Sequence, residues 1–367
     1  MFAGVLSVRF QVKISYRVPY ASAARVTQIV KPTLKPTSKF PFLVRYRFLS
    51  VLTLESRSYY TPTILLILPI LMDSSPLYRL QTTSYGGRGL FTTHSIPKAT
   101  LLHTCQSPYA SVIYRTFRKE VCGQCFAYAF DASRNTWNVK SDAGNGVWFC
   151  SEPCRTVWLE EQNVGGLLGL MNAAVDKLAK SMKKSKEGDS SSPRNKHCKH
   201  DDTNIEITLE TLDMAWKNAE RHNTYSHAHG KPTSGSPSPQ LDDMELDTVR
   251  FAISAIVNRY IEDTASPPVT PGASRWGAFL QLQDNELMHI RTRPHILASH
   301  LRVYMFLRRA LLPVLQAYVA TSEMVRAILG RDQGNVFGMW DMSTEGESEM
   351  LGWSMYVSGS YFNHSEC

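Results

Sequence analysis

The sequence predicts an α+β protein in which short strands come first and amphipathic helices follow. Three observations predict this class. Runs rich in β-forming residues, separated by glycine and proline, fill residues 77–115. A module with two cysteine pairs occupies residues 122–158. Beyond it, apolar residues recur at helical spacing within residues 245–262 and 301–329.

The strand and helix predictions rest on local patterns. The expected strands are Leu90-Phe91, Thr100-Leu101-Leu102-His103 and Ser111-Val112-Ile113-Tyr114. The first helix is predicted from apolar side chains on one face: Val249, Ile253, Ile256, Val257 and Tyr260. Pro313 is expected to kink or restart the second helical segment, because proline has no backbone N–H to donate.

Two internal segments have the composition of mobile loops. Residues 182–204 are rich in Lys, Ser and Asp, and residues 226–240 hold few bulky apolar groups. Neither segment is expected to bury enough apolar surface to order itself.

The net charge of +8 comes from the N-terminal end of the chain. Residues 1–71 contain ten Lys/Arg and one acid, Glu55, which leaves 30 basic and 31 acidic side chains elsewhere. The body is therefore nearly neutral, and its charge gives no reason to expect direct nucleic-acid binding.

The basic segment fits a mitochondrial-type transit peptide. It equally fits a mis-assigned upstream start, with the true beginning at Met72.

An apolar run at residues 64–72 is too short to cross a bilayer. A spanning helix needs about 20 apolar residues, and Pro62 and Pro69 also interrupt this region. No membrane association is therefore expected.

Four of the seven cysteines form two close pairs. Pairs of this kind in a chain of 367 residues suggest a metal or thiol site in a reducing compartment rather than a disulfide framework. Thiolates with two or three residues between them can point at one cation, and two such pairs complete the tetrahedral shell of structural zinc. Four buried cysteines without metal, or a disulfide, are the alternatives. The predicted ligands are Cys122, Cys125, Cys150 and Cys154.

This module resembles one half of a MYND finger, a family that binds two zinc ions through interleaved pairs. The segment Phe149-Cys150-Ser151-x2-Cys154, followed by Trp158, matches the later pair of one zinc site. The other zinc's cysteine pair is absent between the two pairs, and no His-x3-Cys follows Trp158. The resemblance therefore implies one structural zinc ion.

Three further motifs, in this order along the chain, resemble the SET domain of lysine methyltransferases. They are Gly87-Arg88-Gly89-Leu90-Phe91, Asn335-Val336-Phe337 and Asn363-His364-Ser365. The first alone also fits a hairpin turn, and the second alone also fits a helix C-terminal turn. The third departs from the family pattern because Glu366 precedes Cys367.

The resemblance implies a β-rich SET fold split by a zinc module and a helical insertion, with the C-terminal pseudoknot incomplete. S-adenosylmethionine would be held by Gly87, Arg88, Gly89, Leu90, Asn335, Asn363 and His364. The family's key tyrosine lies well beyond the Asn-His-Ser segment, so no catalytic residue is assigned.

The expected divisions are a basic extension at 1–71, SET strands at 72–121, the zinc module at 122–160, a helical insertion at 161–330 and a truncated C-terminal SET part at 331–367.

The function that this resemblance implies is S-adenosylmethionine-dependent protein-lysine methylation, in a chain that is incomplete as written. The alternative is a non-catalytic zinc-binding adaptor with a remnant SET fold. The implied partner is a histone or non-histone protein that presents a lysine, and the chain is expected to be a monomer. The expected location is the nucleus, the cytoplasm or both, or the mitochondrion if the N-terminal extension is genuine.

Overall fold

The computed structural model describes residues 76–82, 88–105, 107–141, 146–187, 206–228, 241–269, 274–341 and 348–362. These residues lie in one compact unit of the chain. The expectations for residues 1–71 lie outside the described residues. Within the described ranges, none of the helices combines the length and apolar character that crossing a bilayer requires.

The described strands form three small antiparallel sheets. A hairpin pairs β1 (Tyr78–Thr82) with β2 (Arg88–Thr92), and a second short pair joins β4 (Val139–Lys140) to β5 (Trp148–Phe149). The third sheet has the order β3 (Ala110–Ile113), β7 (Met350–Met355) and β6 (Val336–Trp340). This sheet pairs a strand from the start of the described chain with strands from its end.

Eight α-helices lie between and around these strands in the described part of the chain. They are α1 (Glu152–Glu161), α2 (Leu167–Glu187), α3 (Leu209–Ala228), α4 (Asp243–Thr264), α5 (Arg275–Leu280), α6 (Glu286–Thr292), α7 (His295–Ala310) and α8 (Glu323–Asn335). The chain is thus a mixture of helix and strand, as the sequence predicts.

Helix α4 is the centre of the core. It begins at a capping box, in which Asp242 accepts from the Glu245 backbone N–H and the Glu245 carboxylate accepts from that of Asp242. Its middle, residues 249–257, is buried on all sides because the helix packs against β3, α2, α7 and α8. The Oγ of Ser254 accepts a hydrogen bond from the backbone N–H of Ser111, at 2.9 Å, which ties α4 to β3.

Pro313 restarts the chain after α7, as predicted. Helix α7 ends at Ala310, and a 3₁₀ helix then covers Pro313–Val319 before α8 begins. Proline is tolerated in a first helical turn because the N–H that it lacks would have no partner there.

Two local predictions differ from the structure. Residues 100–103 do not form a strand; His103 instead hydrogen-bonds to the Ser358 side chain near the C-terminal end of the described chain. Helices α2 and α3 also extend into the predicted loops, to Glu187 and Ala228. The Lys, Met and Glu residues at 182–187 are good helix formers, so they prolong α2 to its last residue, Glu187. The remainder of both predicted loops lies outside the described residues.

Stability should depend on the protonation of His300, a buried residue of α7. Burial, and next the charge of His289, lower the pKa of His300 to about 4, below the ordinary 6.5. As the pH falls, the imidazole of His300 therefore takes up a proton at a higher pH in the unfolded chain than in the folded chain. The contribution of His300 to stability is complete above about pH 6.5 and is lost progressively towards pH 4.

We expect His300→Leu to reduce the loss of unfolding free energy between pH 7 and pH 5, measured by urea denaturation. His295→Leu is the matched control, because His295 is exposed at the first position of the same helix. An unchanged pH dependence in His300→Leu would assign the acid sensitivity to other groups.

Candidate functional site

Four cysteine side chains meet at one point between β5, α1 and the turn at residues 122–125. The Sγ atoms of Cys122, Cys125, Cys150 and Cys154 all lie within 4.8 Å of one another. Two of the separations are 3.6 Å, from Cys125 to Cys150, and 3.5 Å, from Cys150 to Cys154. A tetrahedral zinc site with Zn–S bonds of about 2.3 Å places its sulfur atoms about 3.8 Å apart. This cluster could hold a zinc ion.

A tight turn presents the first cysteine pair. The Phe126 backbone N–H donates to the Cys122 carbonyl oxygen at 3.0 Å, and Phe126 has a positive φ of 58°. Gly123 is needed because there is no room for a side chain at this position. A Cβ there would lie 2.4 Å from the Val147 side chain, so glycine allows this turn to approach the segment that leads into β5.

A helix N-terminus presents the second pair. Cys150 follows β5, and Ser151 caps α1 by accepting a hydrogen bond from the Cys154 backbone N–H. Trp158, one turn further along α1, is buried and packs on Phe149 with ring centroids 5.5 Å apart. The aromatic residue after the pair therefore holds the helix against the strand.

The thiols of the cluster influence one another's ionisation. The Cys125 thiol hydrogen-bonds to the Cys122 sulfur, which lowers the pKa of Cys122 and raises that of Cys125. Burial raises the pKa of Cys154. One thiolate is thus favoured, and a bound cation would favour loss of the remaining protons.

Two residues of the predicted cofactor set converge on the loop that follows α5. A terminal guanidinium nitrogen of Arg88, the first residue of β2, donates to the Gln281 carbonyl oxygen. The side-chain amide nitrogen of Asn335, the last residue of α8, donates to the carbonyl oxygens of Gln283 at 2.9 Å and Arg331 at 2.7 Å.

The C-terminal end of the described chain joins the same cluster. Residues Gly359–Tyr361 form a short 3₁₀ helix. The Ser360 hydroxyl donates to the Asn335 carbonyl oxygen at 2.7 Å, and the Arg88 guanidinium lies 5.5 Å from the centre of the Tyr361 ring. The segment just before Asn363 therefore lies against Arg88 and Asn335.

The described members of this set leave one buried side-chain oxygen available to a ligand. Asn335 is buried, and no described residue donates a hydrogen bond to its Oδ1, so this oxygen can accept from an ammonium group. Gly89 is buried opposite Gln81 in the hairpin, and Leu90 packs against the core. The other predicted members, Gly87, Asn363 and His364, lie outside the described residues.

Side chains that no motif indicates support this region. His103 Nε2 lies 2.9 Å from the Ser358 hydroxyl and its Nδ1 lies 3.3 Å from the Tyr78 hydroxyl. The Phe362 ring lies against both aromatic neighbours, with centroids 5.5 Å from Tyr78 and 5.7 Å from His103. The partners are far apart in the sequence, so no local pattern could have revealed this cluster.

Fold and sites together define a mixed helix-and-strand protein with a four-cysteine cluster that could hold zinc. No family model matches the chain. Its sequence is similar to that of a protein of Saccharomyces cerevisiae. That protein bears the name "Potential protein lysine methyltransferase SET6". The two sequences are 29% identical over an alignment of 311 residues. The alignment covers 80% of this chain and 80% of the yeast protein.

Proposed function

We propose that this protein is an S-adenosylmethionine-dependent protein-lysine methyltransferase of the SET class with a single-zinc, MYND-like module. The observation that carries the proposal is the convergence of β2, the end of α8 and the segment Gly359–Tyr361 around the loop after α5. The first two regions hold SET-like motifs, and Gly359–Tyr361 precedes the third motif in the sequence. The similarity to the yeast protein supports the same class.

Bound S-adenosylmethionine would supply a methyl group on a positively charged sulfur, which a neutral lysine amine can attack in line. The residues of this chain must therefore fix the cofactor's orientation and exclude water. Asn335 Oδ1 would accept from the cofactor's ammonium group, and Gly89 would let the backbone approach closely because it has no side chain. The backbone carbonyls of Gln281 and Gln283 hold Arg88 and Asn335 in place before the ligand arrives.

The proposed substrate is a protein that presents a lysine, histone or non-histone, and the proposed state is a monomer. Gly87, Asn363 and His364 would complete the cofactor site. We assign no catalytic residue.

Cofactor binding by Asn335→Ala tests this proposal. We expect S-adenosylmethionine to bind the unmodified chain, and the variant to bind it at least about tenfold more weakly, because a hydrogen bond to a charged group is lost. Calorimetry measures both affinities. A radiolabelled methyl-transfer assay on protein substrates then tests for turnover.

Asn258→Ala is the matched control for this experiment. Asn258 also donates to two backbone carbonyl oxygens, those of Tyr109 and Ser254, but it lies on α4. Its replacement should cost similar stability and leave cofactor affinity unchanged. Equal losses of affinity in the two variants would contradict a direct contact from Asn335. Zinc binding without any cofactor binding would favour the adaptor.

A further inference from the structure

A cavity opens where the zinc module meets β3, α2 and α4. Its volume is about 70 Å³, and it lies apart from the cluster around Arg88 and Asn335. Roughly 10–15 Å³ of such space holds one water molecule. The cavity therefore has room for about five waters, or for a solute with about as many non-hydrogen atoms.

Two buried arginines, Arg118 and Arg250, line this cavity. Arg250 is 5% exposed; it donates to Asp247 Oδ1 at 3.1 Å and also pairs with Asp176. Arg118 lies 3.8 Å from Asp247 and 4.0 Å from Asp176, which are ion-pair distances rather than good hydrogen bonds. Each guanidinium also keeps a buried nitrogen, Arg250 Nε and Arg118 Nη2, that reaches no hydrogen-bond acceptor in the described chain.

These unused donors indicate that the cavity is suited to an acceptor. A buried N–H without a partner is unfavourable, so a ligand oxygen that reaches it gains more than it would at the surface. Burial, and next the charge of Arg250, lower the pKa of Arg118 to about 10. An added negative charge would reduce the cost of burying this guanidinium.

The remaining walls are largely apolar. They include Val112, Phe126, Val147, Trp148, Trp158 and Leu168. The Trp148 ring also lies under two cations, Lys140 Nζ at 5.1 Å and Lys119 Nζ at 5.8 Å from its centre. One wall residue of the cavity thus has two cations beside it, and their charge favours an anion nearby.

We propose that this cavity binds a carboxylate group on a short aliphatic stem. The carboxylate would accept from Arg118 and Arg250, and the stem would pack against the apolar walls. The size limit admits acetate and propionate, or the side chain of a glutamate. A phosphate ion suits the site less well, because some of its four polar oxygens would lie against the apolar walls.

The zinc-loaded, unmodified chain tests this proposal with sodium propionate as the probe. Propionamide has the same shape without the charge, and sodium chloride at equal ionic strength controls for salt. Because Trp148 and Trp158 line the cavity, tryptophan fluorescence should report a saturable change with half-saturation in the millimolar range, roughly 1–10 mM for a ligand of five heavy atoms. Propionate at about 100 mM should also raise the melting temperature above both controls.

Replacement of one arginine locates the binding. Arg118→Gln should weaken propionate binding at least about tenfold, since the anion loses a charged donor. Arg259→Gln is the control, because Arg259 is an ion-paired arginine of α4 that does not line the cavity. Should Arg118→Gln fail to fold, the comparison of propionate with propionamide on the unmodified chain still decides the question.

The outcomes separate clearly. If propionamide or chloride stabilises the chain as much as propionate, the cavity is merely hydrated and the proposal fails. Unchanged propionate binding in a folded Arg118→Gln also overturns it. With propionate binding established, N-acetylglutamate N-methylamide distinguishes the ligand's source: equal binding indicates a glutamate side chain of a peptide, and no binding indicates a free short-chain acid. Either result is independent of cofactor binding at Asn335.

Discussion

Replacement of Cys150 by serine is expected to remove one bound zinc ion per chain and to unfold the module around it. Cys150 lies 3.5 and 3.6 Å from two other cysteines of the cluster. Its loss would leave the zinc ion with three of its four sulfur ligands. Structural zinc contributes on the order of 10 kcal/mol to the folding of small modules. Elemental analysis should give about one zinc for the unmodified chain and none for Cys150→Ser. Near-ultraviolet circular dichroism should show lost packing around Trp158.

The control for this experiment is Cys105→Ser. Cys105 is a half-buried free cysteine outside the cluster, so its replacement should leave the zinc content unchanged. A content of two zinc ions, or of none, in the unmodified protein would reject the single-zinc interpretation of the module.

Replacement of Gly352 by alanine is expected to destabilise the chain by roughly 3 kcal/mol or more, or to prevent folding. Gly352 lies in β7, the middle strand of its sheet, with φ of +157°. A Cβ there would lie 2.3 Å from the Val112 carbonyl oxygen and 2.9 Å from the Ile113 Cα. Both atoms belong to the backbone of β3, so the clash can be relieved only by moving a strand. Urea denaturation measures the loss.

Gly165→Ala separates this clash from the cost of an unusual backbone angle. Gly165 has φ of +62°, and a Cβ there would meet nothing within 4 Å. We expect a loss of about 1–2 kcal/mol, the cost of a left-handed residue alone. A Gly352→Ala variant no less stable than Gly165→Ala would contradict the close approach of β7 to β3.

Local patterns in the sequence predicted helical structure within residues 245–262 and 301–329. The apolar period of residues 249–260 predicted α4, and Pro313 marked the restart after α7. The strand expected at residues 100–103 was wrong: Leu101 is exposed, and His103 contacts the Ser358 side chain, which lies far along the chain. Propensity is a weak guide wherever contacts distant in sequence decide the conformation.

The two sites differ in how far the sequence reveals them. Paired cysteines have a characteristic spacing, so their convergence was predictable from Cys122, Cys125, Cys150 and Cys154 alone. Arg88 and Asn335 were identified through motifs, but the carbonyl oxygens of Gln281 and Gln283 that hold them were not. Every residue has a backbone carbonyl, so only the fold shows which ones are used. Arg118 and Arg250 likewise become a site only because the fold brings the zinc module, β3, α2 and α4 together.

The pairing of β3 with β7 has a consequence for synthesis of the chain on the ribosome. His103 and Ser358, which lie near these strands and contact each other, are 255 residues apart. Such distant contacts slow folding, since a long loop must close before any pairing energy is gained. A nascent chain would expose one edge of β3 until β7 emerges. Helix α4 is made earlier, and its Ser254 and Asn258 side chains bind the backbone of Ser111 and Tyr109. We therefore expect α4 to protect this strand from aggregation during translation.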